Sequence, residues 1–338
     1  MSKEHFVIIG NGPAGNQAAF TLKERAPEVR ITLISRHRES CYRPHLLPSF
    51  IAGKIQEDDL YACPISAYKN RGIKLRSGQR VVGIDLKRKE LTLDHKEILP
   101  YDGLVIAVGG KPRIPEPLLA VQDLMMTLKT LEDARVWIDK LSRIRTALMI
   151  GGDLTSLAVT KALLHLKKKV YFMLNADAFW PVRWSETLFE QVTRKLEGRG
   201  VEVLAHGKIS RMARLSRDAY QVAIDDQKME VGMIGAFFGL VPDIGFLARS
   251  GLHIDRGVLV DEYLNTGFDG VYATGDCAQI YHPELRDYWV SIGHDNAFEL
   301  GRIAAVNLLG GRVEAHADAE SIFEVQDVKV NTSWWTEF

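Results

Sequence analysis

Hydrophobic residues near the start of the chain form a continuous run that ends in a glycine-rich turn. Phe6-Val7-Ile8-Ile9 is apolar at every position, which is typical of a strand buried on both faces of a parallel sheet. An Ala- and Leu-rich stretch with helical spacing then extends to Leu22, and Arg30-Ile31-Thr32-Leu33-Ile34 has the pattern of a second strand. This order predicts a strand–turn–helix–strand unit.

The same order recurs in the middle of the chain. An apolar run begins at Ala147, a glycine-containing turn follows, and a helical stretch extends to Leu166. Val170-Tyr171-Phe172-Met173-Leu174 then predicts the next parallel strand. Two such units indicate an α/β protein with two Rossmann-like domains, each a three-layer, doubly wound sheet of the dinucleotide-binding type.

Alternating apolar and polar positions between the two units predict an antiparallel hairpin around the turn 87–90. Residues 101–110 are then typical of a buried strand that ends on two glycines. A further helix is predicted to begin at Thr130, because Thr130 and Asp133 resemble a capping box with Asp in place of Glu. The apolar positions of the hairpin are Val82, Ile84, Leu86, Leu91 and Leu93.

Prolines mark both passages between the predicted domains. Three prolines lie within residues 111–117, and Pro242 marks the return, so we expect the second domain to be inserted in the first. The predicted boundaries are 1–115 for the first part of the first domain, 116–245 for the second domain, and 246–338 for the rest of the first domain with a short tail. A length of 338 residues fits two domains.

The composition excludes several classes of protein. Because 46% of the residues are hydrophobic, a disordered chain is not expected. The 43 basic side chains are balanced by 43 acidic ones, so we expect no general nucleic-acid-binding surface. The uncharged stretch 231–242 is too short to span a bilayer, and no segment at the start resembles a signal peptide. We therefore expect a cytoplasmic protein without a membrane span.

The cysteines also fit the reducing environment of the cytoplasm. Cys41, Cys63 and Cys277 are widely separated, so they predict no disulfide framework, no zinc site and no cysteine-ligated iron–sulfur cluster. The chain has no C-x-x-C or C-x-x-x-x-C pair, which argues against two-thiol disulfide reduction. We expect no metal site.

The first turn carries the strongest chemical signal. Gly10-Asn11-Gly12-Pro13-Ala14-Gly15 matches G-x-G-x-x-G between a predicted strand and a predicted helix, the context that dinucleotide binding requires. Gly10 makes the tight turn, Gly12 lets the backbone approach a diphosphate, and Gly15 allows close packing of helix on strand. The free N–H groups of the helix would face the phosphates.

The acidic ribose ligand that usually follows the second strand is missing. Ser35-Arg36-His37-Arg38 stands in its place, so Ser35 and Arg36 are candidate contacts of the cofactor. Glu39 is an alternative ligand for the ribose, a few residues further along the chain.

A segment late in the chain carries a family resemblance. Residues 265–276 contain T-x-x-x-x-x-Y-A-x-G-D, and together with the first turn they resemble the FAD-binding pattern of pyridine nucleotide-disulfide oxidoreductase-like flavoproteins. Residues 101–112 resemble the family's Y-D-x-L-x-I-A-T-G-x-x-P segment, with Val108 in place of Thr. Residues 239–247 and 258–261 also resemble family segments. Tyr42-Arg43-Pro44 resembles the rubredoxin reductase and nitrite reductase flavoprotein branch.

The resemblance implies FAD as cofactor and names further site residues. Asp276 would accept a hydrogen bond from a ribitol hydroxyl, and the N–H groups that follow it would stabilise negative charge on the reduced flavin. Arg43 would place a fixed positive charge near the flavin, unless it is an exposed side chain in an ordinary turn. The remaining candidate contacts in these segments are Pro44, Ala107, Gly109 and Gly275. The resemblance also places Cys41 where related enzymes carry a redox thiol, although an inert replacement is the favoured interpretation.

The second turn departs from the family. It has Asp153 and Ser156 where glycines are expected, and two unit charges about 4 Å apart at an effective dielectric constant of about 20 repel by roughly 4 kcal/mol. A carboxylate at Asp153 would also cap the helix and occupy the N–H groups that a phosphate needs. Asp177 is the nearest acidic candidate for a nicotinamide-nucleotide ribose. The sequence therefore predicts weak NAD(P) binding.

The carboxyl end departs as well. Residues 321–338 resemble the start of the family's C-terminal interface domain, where this chain stops. We expect the flavin or the pair Trp334-Trp335 to meet another protein, unless the two tryptophans pack on the chain's own surface.

Three functions remain open at this point. The favoured one is an FAD-dependent electron-transfer subunit that exchanges electrons with an iron–sulfur or rubredoxin-type partner, and a hetero-oligomer with that partner is one expected assembly. The second is an NAD(P)H-dependent FAD reductase of a rubredoxin, a ferredoxin or a small acceptor. The third is a non-catalytic FAD-binding assembly subunit. No acid or base residue is predicted for catalysis.

Overall fold

The computed structural model describes residues 3–174, 186–205, 207–225, 227–283, 286–291, 293–315, 322–325 and 328–331. The strands are β1 (His5–Ile9), β2 (Arg30–Ser35), β3 (Ile73–Ser77), β4 (Val81–Asp85), β5 (Glu90–Leu93), β6 (Ile98–Pro100), β7 (Gly103–Ile106), β8 (Gly110–Pro112), β9 (Thr146–Gly151), β10 (Lys169–Leu174), β11 (Glu202–Val203), β12 (Ile209–Ser216), β13 (Ala219–Ile224), β14 (Gln227–Val231), β15 (Met233–Phe237), β16 (Leu240–Pro242), β17 (Val258–Val260), β18 (Val271–Ala273), β19 (Ala278–His282), β20 (Asp287–Val290), β21 (Ile322–Val325) and β22 (Val328–Asn331). The α-helices are α1 (Pro13–Arg25), α2 (Leu47–Ile51), α3 (Ser66–Asn70), α4 (Leu131–Arg143), α5 (Leu154–His165), α6 (Glu186–Glu197) and α7 (His294–Leu308). Short 3-10 helices cover Pro44–Leu46, Glu57–Leu60, Glu116–Leu124, Gly245–Leu247 and Gly275–Cys277.

The chain forms two compact units. Unit 1 comprises Met1–Arg43, Tyr61–Lys111 and Val241–Asp318, and unit 2 comprises Pro44–Leu60, Pro112–Leu240 and Ala319–Phe338. The predicted α/β fold, in which a second parallel-sheet unit interrupts the first, is confirmed. None of the helices in the described part of the chain has the length and apolar character that crossing a membrane requires.

Unit 1 is built on a parallel sheet with the order β18-β7-β1-β2-β3. Every residue of β1 is buried, as its unbroken apolar run predicts. His5 at the start of β1 is buried too, and its Nε2 lies 2.8 Å from the Thr32 hydroxyl of β2. Burial lowers the pKa of His5, so this histidine serves the sheet as a neutral polar link.

Helices α1 and α7 pack closely within unit 1. A Cβ atom placed on Gly301 of α7 would lie 2.1 Å from the Ala14 carbonyl oxygen, which no side chain tolerates. The absence of a side chain at Gly301 therefore lets α7 approach the first turn of α1.

The predicted hairpin is present as β4 and β5, with one correction. Alternation predicted Val82 on the buried face, but the pairing shifts register between Val81 and Gly83, so Val81 is buried and Val82 is 45% exposed. An irregularity of this kind moves one residue to the opposite face of a strand. Ile84, Leu91 and Leu93 are buried as predicted.

Unit 2 is built on a second parallel sheet, with the order β11-β10-β9-β15, and carries the antiparallel sheet β12-β13-β14. Helix α4 begins with the predicted capping box. The Thr130 hydroxyl accepts from the Asp133 N–H at 3.0 Å, and the Asp133 carboxylate accepts from the Thr130 N–H at 2.8 Å. Trp137 of α4 is fully buried, and its indole N–H donates to the Thr127 carbonyl at 2.9 Å.

Residues 44–60 pack with unit 2, although the domain prediction assigned them to the first domain. Leu47 and Ile51 of α2 are buried, and Arg135 of α4 forms an ion pair with Glu57 at 2.5 Å. Apolar residues on a short helix become part of whichever core they contact, and local pattern does not reveal that choice. The predicted domain boundaries at 115/116 and 245/246 stay a proposal. The chain passes from one compact unit to the other between residues 111 and 112 and again between residues 240 and 241.

Candidate cofactor site

Two of the glycines in the first turn are required by packing. Gly10 has a φ of 108°, and a Cβ atom on it would lie 2.2 Å from the Ala107 carbonyl oxygen. A Cβ atom on Gly15 would lie 1.9 Å from the Gly10 carbonyl oxygen. Both positions therefore bring helix, strand and turn together as the sequence predicts.

Gly12 differs from these two glycines. A Cβ atom placed on it would meet no atom of the described residues within 4 Å, so these residues leave the position open. Helix α1 begins directly afterwards with Pro13 at its first position, and no side chain in the described part of the chain caps it. The N–H groups at the start of α1 are therefore available to an anion.

Asn11 belongs to a buried polar network that the sequence analysis did not predict. The Tyr68 hydroxyl donates to Asn11 Oδ1 at 3.0 Å and accepts from Asn16 Nδ2 at 2.8 Å. Asn11 Nδ2 is buried and has no hydrogen-bond partner among the described residues. An amide inside a G-x-G turn is a signal that could have singled out Asn11, whereas Tyr68 lies 57 residues away with no motif around it.

Ser35 and Arg36, at the end of β2, differ in their exposure to solvent. Ser35 is buried, and its hydroxyl accepts from the His37 N–H at 3.2 Å. Arg36 is exposed and forms an ion pair with Asp243, a partner that no sequence pattern indicated. Glu39, the alternative ribose ligand, is half-buried.

The segment after β7 reaches the same turn. Ala107 donates its N–H to the Ile9 carbonyl at 2.8 Å and forms the wall that Gly10 contacts. Gly109 has a φ of 66°, and a Cβ atom on it would meet none of the described atoms within 4 Å. Within unit 1, Arg43 is half-buried, and its Nη1 lies 3.5 Å from the Tyr61 carbonyl oxygen. Pro44 begins the first 3-10 helix and lies in unit 2.

The late G-D motif lies against the first turn. Gly275 has a φ of 70°, and a Cβ atom on it would lie 3.0 Å from the Ala14 Cβ atom. Asp276 follows, half-buried, in the 3-10 helix Gly275–Cys277. The fold thus brings the late motif to the start of α1, as two FAD motifs at one site require.

The buried cysteines of unit 1 are poorly suited to redox chemistry. Burial raises the pKa of Cys41 to about 12 and that of Cys277 to about 11, so both remain protonated near neutral pH. The Cys277 thiol lies 3.3 Å from the Thr274 carbonyl oxygen. In the described part of the chain, no cluster of three or more His, Cys, Asp or Glu side chains has the arrangement of a metal site.

The second turn, in unit 2, has the same backbone form but is filled. Gly151 has a φ of 113°, and a Cβ atom on it would lie 1.8 Å from the Phe237 carbonyl oxygen, as at Gly10. Asp153 then caps α5: its Oδ1 accepts from the Ser156 N–H at 2.9 Å, and its Oδ2 accepts from the Gly239 N–H at 3.1 Å. The predicted cap is confirmed, and the carboxylate occupies one N–H group at the start of α5 and one beyond the end of β15.

Burial outweighs these hydrogen bonds in the titration of Asp153. It raises the pKa of the carboxyl to about 6, while the N–H groups of Ser156 and Gly239 act in the opposite direction. Near neutral pH the group is mostly ionised and places a negative charge at the turn. Asp177 and the pair Trp334-Trp335, which the sequence singled out, lie outside the described residues.

The residues of the first turn fit a dinucleotide cofactor. An open Gly12 and an uncapped helix start leave space and N–H groups for an anionic group of two phosphates. The second turn meets none of these conditions, since its carboxylate supplies the anion from within the chain.

The comparisons with known proteins agree on one protein family. A family model described as pyridine nucleotide-disulphide oxidoreductase matches residues 4–298. Putidaredoxin reductase CamA from Pseudomonas putida is 30% identical over 328 residues, which cover 91% of this chain and 75% of that protein. Rubredoxin-NAD(+) reductase from Pseudomonas putida is 26% identical over 274 residues, covering 80% and 71%. The assimilatory nitrate reductase electron transfer subunit from Bacillus subtilis is 25% identical, and the match covers 82% of this chain but 36% of that subunit.

Solved structures have the same fold. The covalent complex of putidaredoxin reductase with putidaredoxin contains a chain that superimposes with a TM-score of 0.86 at 25% identity, covering 97% of this chain and 81% of that one. An NAD-dependent persulfide reductase from A. fulgidus superimposes with a TM-score of 0.87 at 25% identity, covering 95% and 62%.

Proposed function

This chain belongs to the pyridine nucleotide-disulphide oxidoreductase family, and from that premise we propose that it carries electrons between bound FAD and a separate redox protein. It is an FAD-dependent oxidoreductase. The family membership leaves open which protein gives or takes the electrons and whether a nicotinamide nucleotide takes part.

The contrast between the two glycine turns supports this proposal most directly. The first turn leaves Gly12 open and its helix uncapped, whereas the second turn holds Asp153 against two backbone N–H groups. A bound diphosphate would meet free N–H groups at the first turn and a carboxylate at the second. Repulsion of roughly 4 kcal/mol at about 4 Å corresponds to about a thousandfold loss of affinity.

The FAD-binding residues are proposed from the sequence motifs, with the geometry of the first turn and of Gly275 in support. The first turn would hold the diphosphate, the end of β2 the adenosine side, and the remaining segments the flavin side. The residues are Gly10, Gly12, Pro13, Ala14 and Gly15 for the diphosphate; Ser35 and Arg36 for the adenosine side; and Arg43, Pro44, Ala107, Gly109, Gly275 and Asp276 for the flavin side.

Bound FAD supplies the electron-accepting and electron-donating chemistry, and the protein supplies position and charge. The half-buried Asp276 carboxylate accepts hydrogen bonds, which suits it to a ribitol hydroxyl. The positive charge of Arg43 favours a negatively charged flavin ring. The raised pKa of Cys41 removes a thiolate from the chemistry, so no side chain is proposed as a covalent redox group.

A partner protein is proposed as the other half of the circuit. The names of the relatives support a small iron–sulfur or rubredoxin-type protein, since one relative is named for putidaredoxin, one for rubredoxin, and one as the electron transfer subunit of a nitrate reductase. The solved complex of putidaredoxin reductase with putidaredoxin supports a direct contact between flavoprotein and partner. A stable hetero-oligomer with such a partner belongs to the same proposal.

Anaerobic mixing followed at the flavin absorption band tests the proposal. We expect NADH and NADPH to bleach the flavin slowly and a reduced low-potential ferredoxin to bleach it fast. Fast bleaching by either nucleotide at micromolar concentration contradicts the proposal and supports the alternative below.

The alternative function is an NAD(P)H-dependent reductase of a redox protein. The names of the relatives favour it, because one of them is a rubredoxin-NAD(+) reductase and one structural neighbour is an NAD-dependent persulfide reductase. It requires the turn to accept a diphosphate beside Asp153, which the two hydrogen bonds of the carboxylate oppose.

A further inference from the structure

The end of β2 borders the first turn, but Ser35 and Arg36 at this strand end give the ribose of a dinucleotide no carboxylate. The Gly10 N–H donates to the Ile34 carbonyl at 2.8 Å, so the turn and the strand end are direct neighbours. Rossmann-type sites use an acidic residue here to accept from ribose hydroxyls. Ser35 is buried, and the guanidinium of Arg36 can only donate hydrogen bonds. A ribose at this strand end therefore needs an acceptor from another segment.

The fold brings the carboxylate of Asp243 to this place, although Asp243 and Arg36 are 207 positions apart. Asp243 Oδ2 forms an ion pair with Arg36 Nη1, and Arg36 Nε lies 3.1 Å from His37 Nε2, so the guanidinium is held from two sides. The backbone N–H of Asp243 donates to the Gly109 carbonyl at 3.0 Å. Asp243 thus contacts both the end of β2 and the segment after β7, two of the segments proposed for FAD.

One oxygen of this carboxylate keeps its capacity to accept. Asp243 Oδ1 lies 3.8 Å from Lys111 Nζ, which is close enough for an ion pair but too long for a hydrogen bond. Among the described residues, only Arg36 donates a hydrogen bond to the carboxylate, and it does so at Oδ2. The Asp243 side chain is 24% exposed. A ligand hydroxyl can therefore reach a carboxylate that has acceptor positions to spare.

The charges around Asp243 suit a dinucleotide. Arg36 and Lys111 place two positive charges beside one negative charge, so this part of unit 1 attracts an anionic ligand. Asp153 at the second turn differs, because its partners are backbone N–H groups and burial raises its pKa to about 6. The two carboxylates therefore have opposite consequences for a diphosphate nearby.

We propose that Asp243 is the ribose ligand of unit 1, and that its carboxylate accepts a hydrogen bond from a hydroxyl of the adenosine ribose of FAD. This inference rests on the proposed binding of FAD at the first turn. A distant segment thus replaces the acidic residue that is missing at the end of β2. The ion pair with Arg36 holds the replacement carboxylate in place.

Variants of the full-length apoprotein, together with a nucleotide that lacks the ribose hydroxyls, test the assignment. Asp243→Ala removes the acceptor, and Asp243→Asn keeps the shape of the side chain without its charge. Asp269→Asn is the matched control, because Asp269 forms an ion pair with Lys89 at 2.8 Å and precedes β18, at the end of the parallel sheet opposite the first turn. Glu39→Gln tests the alternative ribose ligand.

The dissociation constants of FAD, ADP and 2′,3′-dideoxy-ADP give the readout. FAD is followed by the quenching of its fluorescence, and the two nucleotides by competition with FAD. In the wild type we expect dideoxy-ADP to bind about 20-fold more weakly than ADP, because a hydrogen bond to a charged acceptor is lost. We expect this ratio to fall to about twofold in Asp243→Ala and to about fivefold in Asp243→Asn.

The ratio distinguishes a ribose contact from a role in holding Arg36. A variant that only releases Arg36 weakens ADP and dideoxy-ADP together and leaves their ratio unchanged. We expect Asp243→Ala to weaken FAD by about tenfold as well. Asp269→Asn and Glu39→Gln should keep the wild-type ratio.

The outcomes separate this inference from the proposed function. If the wild type binds FAD without preferring ADP over dideoxy-ADP, or if Asp243→Ala keeps the wild-type ratio, the inference is wrong and the proposed function stands. A ratio that collapses in Glu39→Gln assigns the ribose to Glu39 and also overturns the inference. If Asp243→Ala does not fold, Asp243→Asn decides by the same ratio. If the wild-type apoprotein fails to bind FAD at all, the proposed function fails, and the inference fails with it.

Discussion

Asp153 Oδ2 accepts a hydrogen bond from the Gly239 N–H at 3.1 Å, while its Oδ1 caps α5 through Ser156 at 2.9 Å. One carboxylate thus ties the start of a helix to the chain that leaves β15. The same contacts fill the place where a Rossmann turn usually receives the phosphates of its dinucleotide. We therefore expect this single side chain to distinguish the proposed FAD-binding turn from the second turn, which has the same backbone form.

Asp153→Gly is expected to open the second turn to NADH. Removal of the carboxylate abolishes its repulsion of the diphosphate, and glycine at an N-cap costs only a few tenths of a kcal/mol relative to aspartate. We expect the dissociation constant of NADH to fall by at least about tenfold, measured by titration calorimetry. Asp153→Asn is the matched control for charge: it keeps the cap and its bulk, so a smaller gain is expected. Unchanged affinity in both variants would show that Asp153 does not limit nucleotide binding.

The free energy of unfolding is expected to depend on pH through the protonation of Asp153. The pKa of its carboxyl is about 6 in the folded protein, above the value of 3.8 for an exposed aspartate, so the folded state binds the proton more tightly. This contribution is complete below pH 3.8 and is lost as the pH rises through 6. The melting temperature of the wild type relative to Asp153→Asn should therefore fall from pH 4 to pH 7. A constant difference across that range would contradict the raised pKa.

The glycines of the first turn are expected to separate folding from cofactor binding. Gly12→Ala adds a methyl group that meets no atom within 4 Å in the part of the chain that the structure describes, so the apoprotein should keep its melting temperature while FAD binding weakens by about tenfold or more. Gly15→Ala would place its Cβ atom 1.9 Å from the Gly10 carbonyl oxygen, so the fold itself should be destabilised. Gly245→Ala, which also has open space around it, serves as the control with normal FAD binding. Equal effects of Gly12→Ala and Gly245→Ala on FAD affinity would show that Gly12 has no special role in FAD binding.

The three cysteines are expected to differ in reactivity. Cys41 and Cys277 are 2% and 0% exposed, and burial raises the pKa of both thiols, whereas Cys63 is half-buried. In native protein treated with iodoacetamide at pH 8, mass spectrometry should find Cys63 modified first and the other two protected by at least about tenfold. Modification of all three in urea is the control for accessibility. Rapid modification of Cys41 in the native state would restore it as a candidate redox thiol.

Several features of the site could be predicted because they depend on local spacing. The Gly10 and Gly15 requirements follow from a turn of six residues, and the cap by Asp153 follows from its distance of three residues to Ser156. The capping box of Thr130 and Asp133 has the same basis. Hydrogen bonds between near neighbours are set by the geometry of the helix start, which sequence spacing describes directly.

Other features required the folded chain. The register shift that exposes Val82 depends on the partner strand, and the packing of residues 44–60 with unit 2 depends on which core received Leu47 and Ile51. The ion pair of Arg36 with Asp243 joins residues 207 positions apart. No pattern in either segment indicates such a partner.

The sequence by itself determined the α/β class, the two glycine turns, the FAD motifs and the acidic cap of the second turn. The tertiary structure alone decided that Tyr68 meets Asn11, that Gly301 brings α7 to Ala14, and that Asn11 Nδ2 is left without an acceptor in the described protein. The reason is physical: contacts within one turn follow from backbone geometry, whereas contacts between distant segments follow from how complete cores pack, and many sequences share one local pattern while packing differently.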